Sequence, residues 1–562
     1  MIRFIVAGLC SVLLLLAAAD AHCLNAPTRA PNSMVVSAND TASIIGDQVM
    51  VDGGNAMDAA IATAFALAVT HPTAGNIGGG GFLLYQPAEA DPIAYDFRET
   101  APTGSHPEMW LEEGEYSFQR HHMSHMAVGV PGTVAGLHMA WQEHGSLPWK
   151  RLVEPAIKLA ADGFVVTDGL ASSLQRALRR MEKYPASMAQ FSKAGAPYEA
   201  GDLLVQADLA ASLQRIADDG PAGFYQGKTA ELLVAEMQRG GGLITMADLA
   251  GYQAKKREPV QGNYRGYQIL SMPPPSSGGV ALIEMLNILE GFEVADSGFG
   301  SALTMHLMAE SMRRAYSDRA KFMGDPDFND LPIDELVSKS YADELRGSIN
   351  PEKASVSSSE SFDWPTESEE TTHFSIVDKD RNAVSLTYTL EWGYGSAIVV
   401  PGGGFLLNNE MGDFNAGPGL TNSSGLIGTP ANLAEPGKRM LSSMSPTIVT
   451  RNGEVFMVTG TPGGRTIINT VMQTILNVID HDMNAQAAVD SGRIHHQWLP
   501  DKLIYEKGAF SPDTLRLLEL KGHLLEARDR QGAAEVIVVN AEEGLLEAGV
   551  DRRVPDGGAR GH

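Results

Sequence analysis

Thr371 stands at an abrupt change of texture in the chain. The residues before it, NPEKASVSSSESFDWPTESEE (350–370), are rich in Ser, Glu and Pro and carry no periodicity, which predicts an exposed and flexible segment. The residues after it, TTHFSIV and AVSLTYTL, alternate as strands around the turn signal DKDRN, so they are expected to pair as an antiparallel hairpin. With Val377 opposite Ala383, Thr371 falls opposite Thr389. Their Cβ atoms would then lie about 4.5–5.5 Å apart, with the hydroxyls in reach of one another. One face of the hairpin collects Thr371, His373, Ser375, Ser385, Thr387, Thr389 and Glu391; the other collects Phe374, Ile376, Val384, Leu386 and Tyr388. A slip of one residue would exchange the faces.

A threonine hydroxyl is a weak nucleophile unless a base lies beside it. One solution makes the threonine the first residue of a chain, so that its own α-amino group, with an ordinary pKa of about 7.7–8.0, takes the proton. That solution requires a cut of the bond before Thr371, and a flexible linker ending at Glu370 is a place where a cut can occur. The hairpin taken by itself also fits a plain structural reading, because Thr favours strands and a polar strand face is commonly solvated.

Other chemistries find less support. HHMSH (His121, His122, His125) and His495-His496 lack the accompanying ligand set of a zinc site and are read as surface or structural histidines. GNIGGGG is followed by no Lys, so it is not a phosphate-binding loop, and no Ser/His/Asp set with a nucleophile elbow is present.

The elements that must position these residues can be read from the pattern. GGNAMDAAIATAFALAVTHP is a helix capped by Asn55 and stopped by Pro72, and GNIGGGGFLLY is a tight turn into a strand. Helical patterns dominate from Pro131 to about Asp248, and YQILSMPPPSSGGVALIEMLNILEG reads as strand, Pro-rich turn and helix. Beyond Thr371 come strand patterns at GGFLL, SPTIVTRNGEVFMVTGTPGG and AEVIVV, and helical ones at IINTVMQTILNVIDH and SPDTLRLLELKG. Packed layers of sheet and helix are expected, with the acidic linker separating two compositional halves.

At 562 residues, with 44% hydrophobic and 20% charged residues, the chain can bury a large core and reads as globular. A formal net charge of −26 argues against nucleic acid or an anionic membrane surface as partner, so an acidic ligand would need a locally placed Arg or Lys. The opening MIRFIVAGLCSVLLLLAAADAHC combines Arg3, an apolar run and Ala19-Asp20-Ala21, which fits a secretory signal over 1–21 and a mature chain from about His22. A retained membrane anchor is the alternative; lipid attachment at Cys23 fits less well, because His22 precedes it. Cleavage would leave Cys23 as the single cysteine and no intrachain disulfide.

TTHFSIVDKDRNAVSLTYTLEWGYGS, LLNNEMGDF, KRMLSSMSPTIV and TGTPGGRTI resemble the small subunit of the γ-glutamyltranspeptidases, the glutathione hydrolases. GGNAMDAAIATAFALAVTHPTAGNIGGGGFLLY, YDFRETAP, VGVPGTVAGL and PPPSSGG resemble their large subunit, and the likeness runs from about Met34 to the end. The resemblance implies an α+β fold of the N-terminal-nucleophile hydrolase type, a four-layer αββα sandwich formed jointly by a large subunit (22–370) and a small subunit (371–562) after self-cleavage. It implies Thr371 as nucleophile, Thr389 as its supporting hydroxyl, and Gly463 and Gly464 as the backbone donors of an oxyanion hole. Arg98, Ser442 and Ser443 would hold the α-carboxylate of a γ-glutamyl group, and Glu391, Glu410 and Asp413 its α-ammonium. Substrates would be γ-glutamyl compounds such as glutathione, with water, amino acids or dipeptides as acceptors and no metal or organic cofactor.

Two positions depart from the family pattern. Glu391 stands where some bacterial relatives have Asn and others Glu, and Ser424 stands where some carry a gating Tyr on a lid loop, which puts acceptor selectivity in question. The rival readings are a glutaryl- or cephalosporin-type acylase, a poly-γ-glutamate-processing enzyme, and an exported homologue that has lost catalysis. Export implies the periplasm of a Gram-negative host or secretion into the medium.

Overall fold

The computed structural model describes residues 26–357, 370–420 and 429–562; the expected signal segment, both cysteines, most of the acidic linker and Ser424 lie outside the described residues. Helix α1 (Ala56–Thr70) starts on a capping box in which the Asn55 side chain accepts from Asp58 N and the Asp58 carboxylate accepts from Asn55 N, both at 3.0 Å. It ends at His71, ahead of Pro72, and every one of its residues is buried, as a helix apolar on all sides requires. The Gly-rich turn then leads into β1 (Gly80–Gln86), which pairs with β2 (Ile93–Asp96). Further on come α2 (Gly278–Leu289) and α3 (Ala302–Phe322), then the hairpin β3 (Thr372–Val377) and β4 (Ala383–Thr389). A second hairpin, β5 (Thr447–Arg451) and β6 (Glu454–Gly460), precedes helix α4 (Thr466–Ile479).

Two seven-stranded sheets carry the molecule. One runs Gly558–Arg560, Met34–Ser37, β3, β4, β1, β2, Lys255–Arg257; the other runs Thr28–Ala30, Leu545–Val550, Glu535–Asn540, β6, β5, Tyr267–Ser271, Val260–Tyr264. They pack face to face, with α1 and its neighbours covering the outer face of the first and α2, α3 and α4 that of the second. This is the expected four-layer αββα sandwich. Each sheet mixes strands from before and after residue 371, so the two compositional halves are one core and not two domains.

The hairpin register is the expected one, with Val377 opposite Ala383 and Thr372 opposite Tyr388. Phe374, Ile376, Val384, Leu386 and Tyr388 pack into the helix layer. The polar face is not solvated: it lies buried between the sheets, where Ser375 Oγ donates to Glu535 O (2.9 Å) and Ser385 Oγ to Thr459 O (3.0 Å). His373 bonds Thr387 Oγ1 at 2.8 Å, and burial keeps its imidazole neutral by pulling the pKa down to about 3. Buried polar groups that find partners across the layers fix one register of sheet on sheet.

Two local expectations are corrected. GGFLL is not a strand but an isolated bridge between Leu406 and Val399, because Gly402 and Gly404 turn the chain with positive φ. The upstream end of the acidic segment is tied down where exposure and flexibility are expected. Ser355 N and Ser357 N donate to Glu310 (3.0 Å) and Asp501 (2.8 Å), and Ala354 and Ser357 are buried.

Candidate active site

The first sheet brings Thr371, the residue before β3, beside Thr389 at the end of β4. Thr371 Oγ1 lies 3.5 Å from Thr389 Oγ1 and donates to the carbonyl oxygen of Glu370 at 2.8 Å. Thr389 Oγ1 donates to that same oxygen at 3.2 Å and accepts from Glu391 N at 2.9 Å. Two hydroxyls thus converge on the carbonyl of the bond that precedes Thr371. The end of β4 is pinned by Asn76 of the Gly-rich turn, whose side chain donates to Thr389 O (2.8 Å) and accepts from Gly79 N and Thr133 Oγ1.

Arg98 follows β2 and is 1% exposed. Its N donates to Asp96 at 3.0 Å, and its carbonyl accepts from Tyr252 OH at 2.8 Å. The guanidinium meets Glu410 through Nη1 and Asp413 through Nη2, and it also donates to the carbonyls of Met440 (3.3 Å) and Leu441 (3.2 Å). Burial pulls the arginine pKa down, but Glu410, Asp413 and Glu99 outweigh that and hold it above its ordinary value. Burial pushes the Glu410 carboxyl well above the carboxylate range and that of Glu99 to about 8, both against the pull of Arg98. Glu391, held at a φ of 79°, accepts from Asn409 Nδ2.

Ser442 and Ser443 are held by the PPPSSGG turn. Ser277 N and Oγ both donate to Ser442 O, at 2.9 and 2.7 Å, and Ser442 N donates to Pro275 O at 3.0 Å. Gly463 and Gly464 form the turn into α4 with φ values of 135° and 54°. A Cβ on Gly463 would lie 2.5 Å from Thr466 Oγ1, so that position excludes any side chain.

One pocket is lined by nine of the ten residues expected from the sequence: Arg98, Thr371, Thr389, Glu391, Glu410, Asp413, Ser442, Ser443 and Gly464. Gly463 adjoins it through Gly464. The arrangement differs from the expected roles in one respect: Arg98 pairs with Glu410 and Asp413 directly, where the sequence assigns the arginine and the two acids to opposite charges of one ligand. A ligand bearing a carboxylate and an ammonium on one carbon can exchange with these pairs.

The gamma-glutamyltranspeptidase family model matches residues 42–561. This chain belongs to the γ-glutamyltranspeptidase family. It is similar to the glutathione hydrolase proenzyme of Escherichia coli strain K12, 48% identical over 534 residues that cover 94% of this chain and 92% of that one. The cephalosporin acylase of Bacillus halodurans superposes with a TM-score of 0.84 at 27% identity, over 95% of this chain and 97% of that one. The γ-glutamyltranspeptidase of Helicobacter pylori superposes with a TM-score of 0.55 at 45% identity, over 56% of this chain and 90% of that one.

Of the four pocket residues the sequence did not single out, Arg319, Leu441, Met444 and Ile467, one is charged. Arg319 of α3 is buried in the pocket wall, where Nε donates to Ser277 Oγ (2.8 Å) and Nη2 to Ser443 Oγ (2.9 Å). One guanidinium therefore fixes Ser443 directly and Ser442 through Ser277. The signal was an arginine continuing the apolar stripe Met305, Met308, Met312, Tyr316, where a charge calls for a buried partner. Arg319→Gln is expected to raise KM for a γ-glutamyl anilide about tenfold while leaving KM for the 4-aminobutyryl anilide, which lacks the α-carboxylate, unchanged. Steady-state kinetics on both anilides checks this, and an equal rise for the two would show a merely structural role.

The zinc-like runs do not gather into a ligand set: His125 Nε2 pairs with Glu236 at 2.8 Å and His495 with Asn469. Among the described residues, His306, Glu310 and His523 do lie close enough to hold an ion. Both oxygens of Glu310 are already taken by Ser355, Arg313 and Arg314, however, and the two imidazoles bond each other at 2.8 Å.

Proposed function

We propose that this chain is a γ-glutamyltransferase and glutathione hydrolase whose nucleophile is Thr371, freed by self-cleavage between Glu370 and Thr371. The observation that carries the reading is the placing of both charge signs, Arg98 with Glu410 and Asp413, in one pocket with Thr371. A γ-glutamyl group carries a carboxylate and an ammonium on its α-carbon, and that pair matches the pocket.

In the unbroken chain Thr371 Oγ attacks the Glu370 carbonyl carbon, the C–N bond breaks as an ester forms, and water hydrolyses the ester. The convergence of the Thr371 and Thr389 hydroxyls on the Glu370 carbonyl supports this step. The new α-amino group then takes the Oγ proton as Thr371 attacks the γ-carbonyl of the substrate, and it passes that proton to the leaving amine. For glutathione the leaving amine is cysteinylglycine. The Gly463 and Gly464 amides stabilise the oxyanion, Arg98, Ser442 and Ser443 hold the α-carboxylate, and Glu391, Glu410 and Asp413 hold the α-ammonium. Water, an amino acid or a dipeptide then takes the γ-glutamyl group from Thr371.

Gly463→Ala keeps its amide N–H, but its Cβ would meet Thr466 Oγ1 at 2.5 Å and push the turn out of place, so kcat is expected to fall by about 10²- to 10³-fold as the oxyanion donors are displaced, and an unaltered kcat would remove this turn from the mechanism. The mature protein is proposed as a heterodimer of 22–370 and 371–562, exported by the signal at 1–21 to the periplasm or the medium. No helix among the described residues is long and apolar enough to cross a membrane.

The acylase reading shares the fold but lacks a use for the acid side of the pocket. Comparing γ-glutamyl with glutaryl anilides tests the choice. The glutamyl compound should be preferred by about 10²-fold or more in kcat/KM, and a preference for glutaryl would overturn the substrate assignment.

A further inference from the structure

Residues 391–397 leave β4 and carry Glu391 into the pocket in a backbone conformation that most side chains avoid. Glu391, Tyr394 and Ala397 hold φ values of 79°, 65° and 64°, and Gly395 holds 56°. Each non-glycine residue in the left-handed region costs free energy, so a turn with three of them keeps its shape only where surrounding contacts impose it. Much of that support comes from the helix Asp168–Met181, which is remote in the chain.

Arg180, in the last turn of this helix, spans the 391–397 turn with its guanidinium. Nη1 donates to Gly393 O at 2.8 Å, and Nη2 donates to Gly395 O. The same guanidinium lies over the Trp392 ring, 5.2 Å from its centroid, and His122 stacks on that ring with centroids 5.8 Å apart. Ser173, earlier on the helix, accepts from Tyr394 OH at 2.9 Å. The Glu391 carboxylate accepts from Asn409 Nδ2, and Asn409 Oδ1 accepts from Trp392 N at 3.2 Å, so one amide ties the carboxylate to the turn that Arg180 grips. Arg180 does not line the pocket that Glu391 lines. Its charge is felt there nonetheless: burial pulls the Arg180 pKa down, against the opposing pull of Glu391, Tyr184 and Glu370.

A carboxylate selects an ammonium only while it stays within hydrogen-bond reach, so whatever fixes this turn fixes the selection. We propose that Arg180 is a positioning residue for substrate selection: by holding the 391–397 turn it sets the Glu391 carboxylate where an α-ammonium group binds, without touching the substrate itself. The inference rests on the γ-glutamyl reading above, which gives Glu391 to the α-ammonium. A planar fork that reaches two carbonyls and covers an indole is available to Arg and not to Lys or Gln. With the chain cut before Thr371, this clamp would also join the large subunit to the small one.

The test measures kcat/KM for γ-glutamyl and glutaryl anilides, which differ only in the α-ammonium, in the wild type, Arg180→Gln and Arg180→Lys, with activity counted per cut chain. Arg180→Gln is expected to lower the value for the glutamyl anilide about tenfold, chiefly through KM, and to leave that for the glutaryl anilide unchanged. Arg180→Lys keeps the charge but not the fork, and is expected to lose about threefold in the same selective way. An equal fall for both anilides would mean that Arg180 serves the fold and not the selection, and a glutamyl preference kept at the wild-type level would mean that the turn holds without it; either result overturns the proposal. If Arg180→Gln yields no cut chain, Arg180→Lys decides by the same ratio. A wild type that prefers the glutaryl anilide, or releases no amine from either, overturns the γ-glutamyl reading beneath the proposal.

Discussion

Thr371→Ala is expected to leave one uncut chain and to lower amine release from γ-glutamyl anilides by at least about four orders of magnitude. The residue is buried just before β3, and the change removes a hydroxyl and a methyl without touching a strand pairing, so the sandwich should form unchanged. What is lost is the oxygen that lies against the Glu370 carbonyl and, in the proposed mechanism, the attacking atom itself. Thr371→Ser keeps that oxygen and should cut slowly but measurably, since it lacks the methyl that holds the hydroxyl in one rotamer. Denaturing electrophoresis of the two variants beside the wild type reads the cut, and near-ultraviolet circular dichroism confirms the fold. A Thr371→Ala protein that matures normally would remove Thr371 from the chemistry.

Arg98→Gln should act twice. The guanidinium is the partner of Glu410 and Asp413 and lies 3.9 Å from Glu99, all in a site closed to water on most sides. Removing one member of a buried ion pair leaves the others uncompensated, at a cost of about 3–5 kcal/mol, which the carboxyls reduce by binding protons. The melting temperature should therefore fall at neutral pH. In the proposed binding mode the α-carboxylate also loses its cation, and kcat/KM for γ-glutamyl anilide should fall by about 10³-fold, chiefly through KM. Arg98→Lys should recover part of the stability and little of the binding, because an ammonium cannot form the paired bonds to one carboxylate. An unchanged KM in either variant would contradict the role given to Arg98.

Much of this site was legible in the sequence because it hangs on local pattern. The alternation around DKDRN set the hairpin register and so placed Thr389 opposite Thr371. The Asn55 cap, the Gly-rich turn and the Pro-rich turn lie where the pattern puts them. The burial of the polar hairpin face was not legible, because a Ser or Thr that faces water and one that bonds Glu535 O across the layers look alike in sequence. Arg319 escaped for a related reason: its partners, Ser277 and Ser443, lie 42 and 124 residues away and meet it only through the packing of α3 on the second sheet. The tying-down of Ala354, Ser355 and Ser357 was hidden likewise, since their composition suits a solvated linker and the partners Glu310 and Asp501 are remote in the chain.

Intact-mass analysis of the purified protein, acid-quenched during turnover of glutathione, tests the central claim most directly. The account predicts two fragments, the smaller beginning at Thr371 and, in the quenched sample, carrying one added glutamyl group that peptide mapping places on Thr371. A single uncut chain that still hydrolyses glutathione, or a glutamyl group attached to any other residue, would contradict it.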